Sequence, residues 1–470
     1  MNEQDSIRLL RHANAVRVDD LPAAGESDDA KRLLEKILGS SPARQPVAAA
    51  NRRRMRSRAA SLPRPLAAAV AFLALVGVLA SPPGRSAIGA VGDEIGSWLN
   101  GSGGIVDTQS GNQTAAVRAD GIITSAAPDG DGGWFIAGGF TAVDGSPRAH
   151  LAHIRADGSL DPAWTPSLWA PRKPNYTYAT LVAASGRVYV AGPFEKVNGE
   201  ARGNVVALDA RTGELVEPWD TRVEAVDSIT ALAVAGSRLY VGLVGAALIG
   251  SSIHRCALAL ETADGALDAA FDPQIESIGE TACISSLAVS GSRLYLGGAF
   301  TAVDGRASQG LAAVDAETGE LDEGFAPGQL RCAGCPGARP VIGQLAASNA
   351  LLYVAGEFTS IGGAGRDGVA ALDERTGAVD EGWNPEIEGG SGPGGGSVLK
   401  LEVVGNRLYV GGSFQSVDGE DRNGFAAVDA ESGRLLPTWS PPQTTRYVLA
   451  LALSGSSLFA GGAEADAKSP

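Results

Sequence analysis

The stretch LYLGGAFTAVDG (Leu294–Gly305) decides the fold, because the chain repeats it. WFIAGGFTAVDG (Trp134–Gly145), VYVAGPFEKVNG (Val188–Gly199), LYVAGEFTSIGG (Leu352–Gly363) and LYVGGSFQSVDG (Leu408–Gly419) align with it. LYVGLVGAAL (Leu239–Leu248) fills the gap as a degenerate copy, and SLFAGGAEAD (Ser457–Asp466) closes the series. The anchor aromatics are Phe135, Tyr189, Tyr240, Tyr295, Tyr353, Tyr409 and Phe459, spaced by 54, 51, 55, 58, 56 and 50 residues. Self-similarity at a fixed period marks a repeat architecture.

Each copy runs into a second block, such as GLAAVDAETGELDEGFAP (Gly310–Pro327) or GFAAVDAESGRLLPTWSP (Gly424–Pro441). These blocks end on Trp164, Trp219, Phe271, Phe325, Trp383 and Trp439. One period reads as four strands. ITALAVAG from Ile229 is the first, and RLYVG from Arg238 the second. A third resembles GLAAVDA, and a short fourth runs from an Asp-x-x-Thr-Gly turn to the aromatic. In RLYVG, alternation sets Leu239 and Val241 on one face and Tyr240 on the other, as burial on both sides requires. Four short strands in about 55 residues predict a blade of a β-propeller, whereas solenoid repeats run to about 20–45 residues.

Six full repeats cover about Gly121 to Pro441, and TRYVLALALSGSSLFAGG (Thr445–Gly462) supplies two strands of a seventh. IVDTQSG (Ile105–Gly111) aligns with AVDAESG (Ala427–Gly433). Residues 103–117 are therefore expected to complete the last blade and hide two sheet edges. The expectation is an all-β, seven-bladed propeller of four-stranded blades over residues 103–466, with six or eight blades as the alternatives. Glycine, 63 of 470 residues, suits so many turns. A net charge of −15 argues against nucleic acid as a main partner.

Charge divides the chain unevenly. Residues 1–64 carry 13 Lys and Arg against 8 Asp and Glu, and the remainder 25 against 45. The basic run NRRRMRSR (Asn51–Arg58) and Arg64 precede 20 uncharged residues, Pro65 to Gly84. That length spans a hydrocarbon core of about 30 Å as a helix. The Arg cluster on its N-terminal side predicts that end inside the cell and the propeller outside. The expected layout is a cytoplasmic stub (1–64) with one or two short helices or disorder, a single-pass transmembrane helix (65–84) and a linker (85–102). A cleaved signal peptide, of twin-arginine type or otherwise, is the alternative. Two small helices cannot build a core alone, so residues 1–60 are disordered or meet a cytoplasmic protein partner.

The pattern G-G-x-F-T-x-V-[DN]-G-x-x-R followed by L-x-x-[LV]-D-x-x-T-G-x-L resembles the delta-sixty repeat propellers of bacterial surface and secreted proteins. That resemblance implies the fold and leaves function open. LDARTG (Leu208–Gly213) with Trp219 is also similar to the tryptophan-docking motifs of quinoprotein propellers, without their cofactor or metal ligands. The stub, Arg run and single span resemble membrane-bound anti-sigma-type regulators in layout.

The Asp-x-x-Thr-Gly turns at Asp209, Asp315 and Asp373 read as folding devices, with Gly at positive φ. The Val-Asp-Gly loops place Asp144, Asn198, Asp304 and Asp418 before Gly. An Arg follows at Arg148, Arg202, Arg366 and Arg422. A loop acid pairing with that Arg would brace the crossing between strands. Alternatively, these residues form a ring around one mouth that holds an extracellular acidic glycan or a protein ligand. His150-x-x-His153 and PDGDGGWF (Pro128–Phe135) read as strand histidines and a tight hairpin rather than metal sites. No catalytic residue, cofactor or metal is assigned.

All four cysteines lie in the outer domain, which suits an oxidising exterior. Aligned on the anchor tyrosines, Cys256 opens a third strand and Cys283 the next blade's first strand, so they should meet on one face. Cys332 and Cys335 are expected to pair within their own loop. The functional expectation is an anchored, non-enzymatic propeller for recognition or scaffolding, coupled through its stub to a cytoplasmic regulator. A propeller hydrolase or lyase acting on glycans is the alternative.

Overall fold

The chain is described from a computed structural model over residues 101–463, apart from 171–178, 220, 222, 226–227, 250–251, 278–282, 334–339, 349, 390–397 and 442–446. The expected stub, membrane span and most of the linker lie outside the described residues. The first strand, Gly101–Asp107, already includes two residues of the expected linker. The described residues form strands, turns and bends, with no helix long and apolar enough to cross a membrane.

The sheet holding the opening motif shows the plan. Ile284–Ser290, Arg293–Gly298 and Leu311–Asp315 pair antiparallel in the order 1-2-3. The innermost strand bulges between Ile284 and Ser286, which pushes its main chain against the second strand. A Cβ on Gly298 would come 1.9 Å from the Cys283 carbonyl oxygen, and one on Gly356 would come 2.0 Å from that of Val341. The glycines that end the Tyr295 and Tyr353 runs are therefore packing requirements.

Seven such principal sheets occur among the described residues. Their innermost strands are Ile123–Pro128, Thr180–Ala184, Ser228–Ala235, Ile284–Ser290, Val341–Ser348, Val398–Val404 and Tyr447–Ser454. Each touches the next, and the last touches the first, so they close a circuit. This is the blade arrangement of a β-propeller. Gly101–Asp107 pairs with Ser457–Ala463, and Gln113–Arg118 lies outside it, so one sheet is built from both ends of the domain. Gly103 faces Gly461 and Ile105 faces Phe459 in that register.

The core lies between sheets rather than inside them. Leu239 and Val241 pack with Tyr189 and Trp219 of the preceding sheet, whereas Tyr240 packs with Leu294 and Leu296 of the next. Alternating strand faces thus feed two different clusters. Six of the seven anchor aromatics also meet their own repeat's terminal aromatic, as in Tyr409–Trp439 at 5.1 Å and Tyr353–Trp383 at 5.7 Å. Tyrosine hydroxyls donate across to the following sheet. Tyr240 reaches the Ala316 carbonyl at 2.7 Å, Tyr353 that of Ala430 at 2.9 Å and Tyr409 that of Thr108 at 2.8 Å.

Two features differ from the four-stranded expectation. Most principal sheets have three strands, and the expected fourth is reduced to single bridges such as Val314↔Leu321 and Leu372↔Val379. The cause is local. Asp322 and Asp380 accept the amides of Gly324 and Gly382 at 2.9 Å, which turns the chain straight after the bridge. Conversely, the Val-Asp-Gly segments are hairpins rather than loops. Lys196–Val197 pairs with Glu200–Ala201 and also with Leu168–Trp169, which makes a small outer sheet, and other repeats do the same.

Candidate functional site

The hairpin tips explain the Asp, Asn and Gly found there. Asp144, Asn198, Asp304 and Asp418 have φ of 48–51°, and the following glycines 70–85°. Positive φ at both central residues is the two-residue hairpin turn that suits strand twist. The side chains then bond main-chain amides. Asp304 takes those of Gln274 at 3.2 Å and Leu321 at 2.8 Å, and Asp418 those of Glu386 at 2.9 Å and Leu435 at 2.8 Å. Asp144 accepts from Arg118 at 3.1 Å and Asn198 from Ser167 at 2.9 Å.

The arginines have other partners. Arg148, Arg366 and Arg422 are buried and donate to carbonyls, including Asp161 for Arg148 at 2.8 Å and Asp380 for Arg366 at 2.9 Å. Arg202 alone meets acids, Glu200 and Glu217. The expected pairing of loop acid with Arg is thus replaced by two separate sets of bonds to main chain that brace the same crossing. A buried guanidinium whose N–H groups are spent on carbonyls offers few free donors to a ligand.

The Asp-x-x-Thr-Gly turns behave similarly. Asp373 accepts the Thr376 hydroxyl and amide at 2.7 Å each and holds Gly377 at φ 76°. Those bonds keep its carboxyl below the usual range. The histidines separate: His150 is buried at φ 72° with Nδ1 near the Gly138 carbonyl, whereas His153 bridges two acids. Its Nε2 lies 2.9 Å from Asp129 and its Nδ1 3.0 Å from Asp161, with the ring stacked on Phe135 at 4.7 Å. Burial would raise both acids, but bonds from His153 and main-chain amides outweigh it and hold them low.

Cys256 and Cys283 form a disulfide with Cα atoms 5.3 Å apart. It joins the third strand Ser252–Glu261 to the residue before the next innermost strand, as the repeat alignment predicts. Cys332 is also disulfide-bonded, and Cys335 lies outside the described residues.

The inside of the ring holds what the sequence reading missed. One residue after the bulge, the innermost strands carry Ser125, Ala231, Ser286, Gln344, Lys400 and Ala450, with Thr180 at the matching place. Two residues on stand Ala127, Val182, Ala233, Ala288, Ala346, Glu402 and Ala452, each opposite an anchor aromatic. Lys400 and Glu402 are the only Lys, Arg, His, Asp or Glu on the seven described innermost strands. Lys400 Nζ lies 3.4 Å from Gln344 Oε1, on the neighbouring innermost strand. Burial lowers Lys400 and raises Glu402 to about 7, which the Leu453 main chain only partly offsets. A repeat alignment of the first strands contains this signal, as a charged residue in a column of Ser and Ala.

Comparison with known proteins gives one short family match and several distant likenesses among solved structures. A family model described as a β-propeller domain of unknown function (DUF5122) matches residues 130–163. No curated protein matches the chain. Among solved structures, the computationally designed Ika8 protein is 15% identical, covers 73% of this chain and 93% of its own, and has a TM-score of 0.38. The WD40 domain of Neurospora crassa Pan2 is 12% identical, with 77% and 95% covered and a TM-score of 0.45. An extracellular domain assigned to a one-component system of B. thetaiotaomicron is 12% identical over 73% of this chain, with a TM-score of 0.44. The match spans only 37% of that longer chain. The repeat and the closed circuit of strands, rather than these distant likenesses, carry the assignment to a β-propeller.

Proposed function

We propose that this chain is a seven-bladed propeller of the delta-sixty repeat kind, anchored by residues 65–84 with its propeller outside the cell membrane, and that it serves recognition or scaffolding. The single observation behind a recognition role is the break in ring symmetry at Gln344, Lys400 and Glu402, where the other repeats carry small residues. The anchor reading rests on the Arg cluster followed by 20 uncharged residues, and on a disulfide suited to an oxidising exterior. In this reading residues 1–60 meet a cytoplasmic regulator. A glycan hydrolase is the weaker reading, because most such enzymes work with paired carboxylates and the described innermost strands offer Glu402 alone; for a lyase no residue is singled out.

Fractionation with external protease tests the placement. The propeller should sediment with membranes and be digested from outside intact cells. Recovery of a soluble mature form starting near Ser81 would contradict the anchor.

A further inference from the structure

We propose that the inside of the ring, at Lys400, Gln344 and Glu402, binds a small carboxylate that also bears hydroxyl groups; this rests on the recognition reading and deepens it.

The first argument is an unanswered charge. Among the less exposed arginines of these sheets, Arg238 meets Asp268 at 2.5 Å and Arg293 meets Asp322 at 2.6 Å, and Arg366 meets main-chain carbonyls. Among the described residues, the only hydrogen-bond partner of Lys400 is the neutral Gln344 oxygen at 3.4 Å, longer than an ordinary bond. A partly desolvated ammonium without a counter-charge is costly, and burial accordingly pushes Lys400 down. An incoming carboxylate would answer it.

The second argument is position. Lys400 and Gln344 occupy the column that holds the smaller Ser125, Ala231, Ser286 and Ala450 elsewhere, so the long polar side chains of this column stand together on two adjacent innermost strands. Both side chains, and Glu402, are only half-buried and remain within reach of solvent. The third argument is the second polar group. Glu402 follows two residues after Lys400 on the same strand, roughly 7 Å along it, about the length of a six-carbon hydroxy acid. Raised by burial, its carboxyl can donate to or accept from a hydroxyl near neutral pH. One cation beside a carboxyl favours a single negative charge, hence a carboxylate over a phosphate dianion.

Gln344 is a positioning residue: it holds the ammonium through Oε1, and its Nε2 donates to the Leu345 carbonyl at 3.3 Å.

Titration calorimetry of the full chain with D-glucuronate, D-gluconate and D-glucose as probes tests the proposal. Both acids should bind and glucose should not. Lys400→Met should weaken the acids by at least about tenfold, and Glu402→Gln should weaken them while leaving acetate unaffected. Arg306→Gln, on an exposed hairpin, should change nothing. If Lys400→Met fails to fold, Gln344→Leu is the second variant and should weaken both acids severalfold. Failure of both acids to bind, or equal binding by folded Lys400→Met protein, would overturn the site. Glucose binding as tightly as glucuronate and depending on Lys400 would overturn the carboxylate class alone and leave recognition inside the ring standing. Placement at the membrane is read separately by fractionation.

Discussion

Glu402 stands opposite Tyr409, where every other sheet has Ala or Val opposite its aromatic. Burial raises it from the ordinary 4.5 to about 7. Between those values the folded chain keeps a proton that the unfolded chain releases, so stability falls as pH rises through that window and stays lower above it. Glu402→Gln should therefore melt above the parent protein at pH 8 and lose that advantage at pH 4. Melting curves from pH 4 to 8 check this, and parallel curves for the two proteins would contradict it. Cys256 makes a second point at this scale. Its φ of 67° is shared by Gly310, Gly368 and Gly424 at the same place in later repeats, so the disulfide stands where the plan calls for glycine. The spacing of Cys256 and Cys283 was legible because it follows the repeat. Lys400 and Glu402 were not read because periodic reading keeps what recurs and discards the exception.

Strands and turns divide in the same way. The anchor strands were legible from alternation, because burial on both faces leaves an apolar run with a fixed partner on each side. The two-residue outer strands were not, because a pair such as Lys196–Val197 has no periodicity and becomes a strand only by meeting Leu168–Trp169 from the preceding segment. The missing fourth strands follow from Asx turns whose effect depends on where the aromatic packs. The hairpin tips carry a direct test of their structural role. Asp418→Ala would lose the bonds to Glu386 and Leu435 and place alanine at φ 50°. Stability should drop by about 1–3 kcal/mol, with glucuronate binding unchanged. A variant as stable as the parent would return these tips to the ligand-face reading.

At the scale of the molecule, each sheet buries its two faces only through its neighbours, so stability is shared around a closed circuit. The closing sheet needs both Gly101–Arg118 and Tyr447–Ala463, which pair along Gly101–Asp107 and Ser457–Ala463. The segments that pair are those that complement each other in the repeat alignment, Ile105–Gly111 standing in for a turn block such as Ala427–Gly433. Trp439 and Tyr409 also donate to carbonyls at Asp107 and Thr108, at 3.2 and 2.8 Å, so the N-terminal strand ties the neighbouring sheet as well. Removing residues 101–118 would uncover Leu458 and Phe459 and delete buried Ile105, Val106 and Val117, each worth about 1.5–3 kcal/mol. The most direct measurement is thermal unfolding, with light scattering, of the full chain and of a chain lacking only these residues. Closure through a sheet built from both ends predicts a markedly lower melting temperature and aggregation in the deleted chain. Identical melting of the two would contradict it.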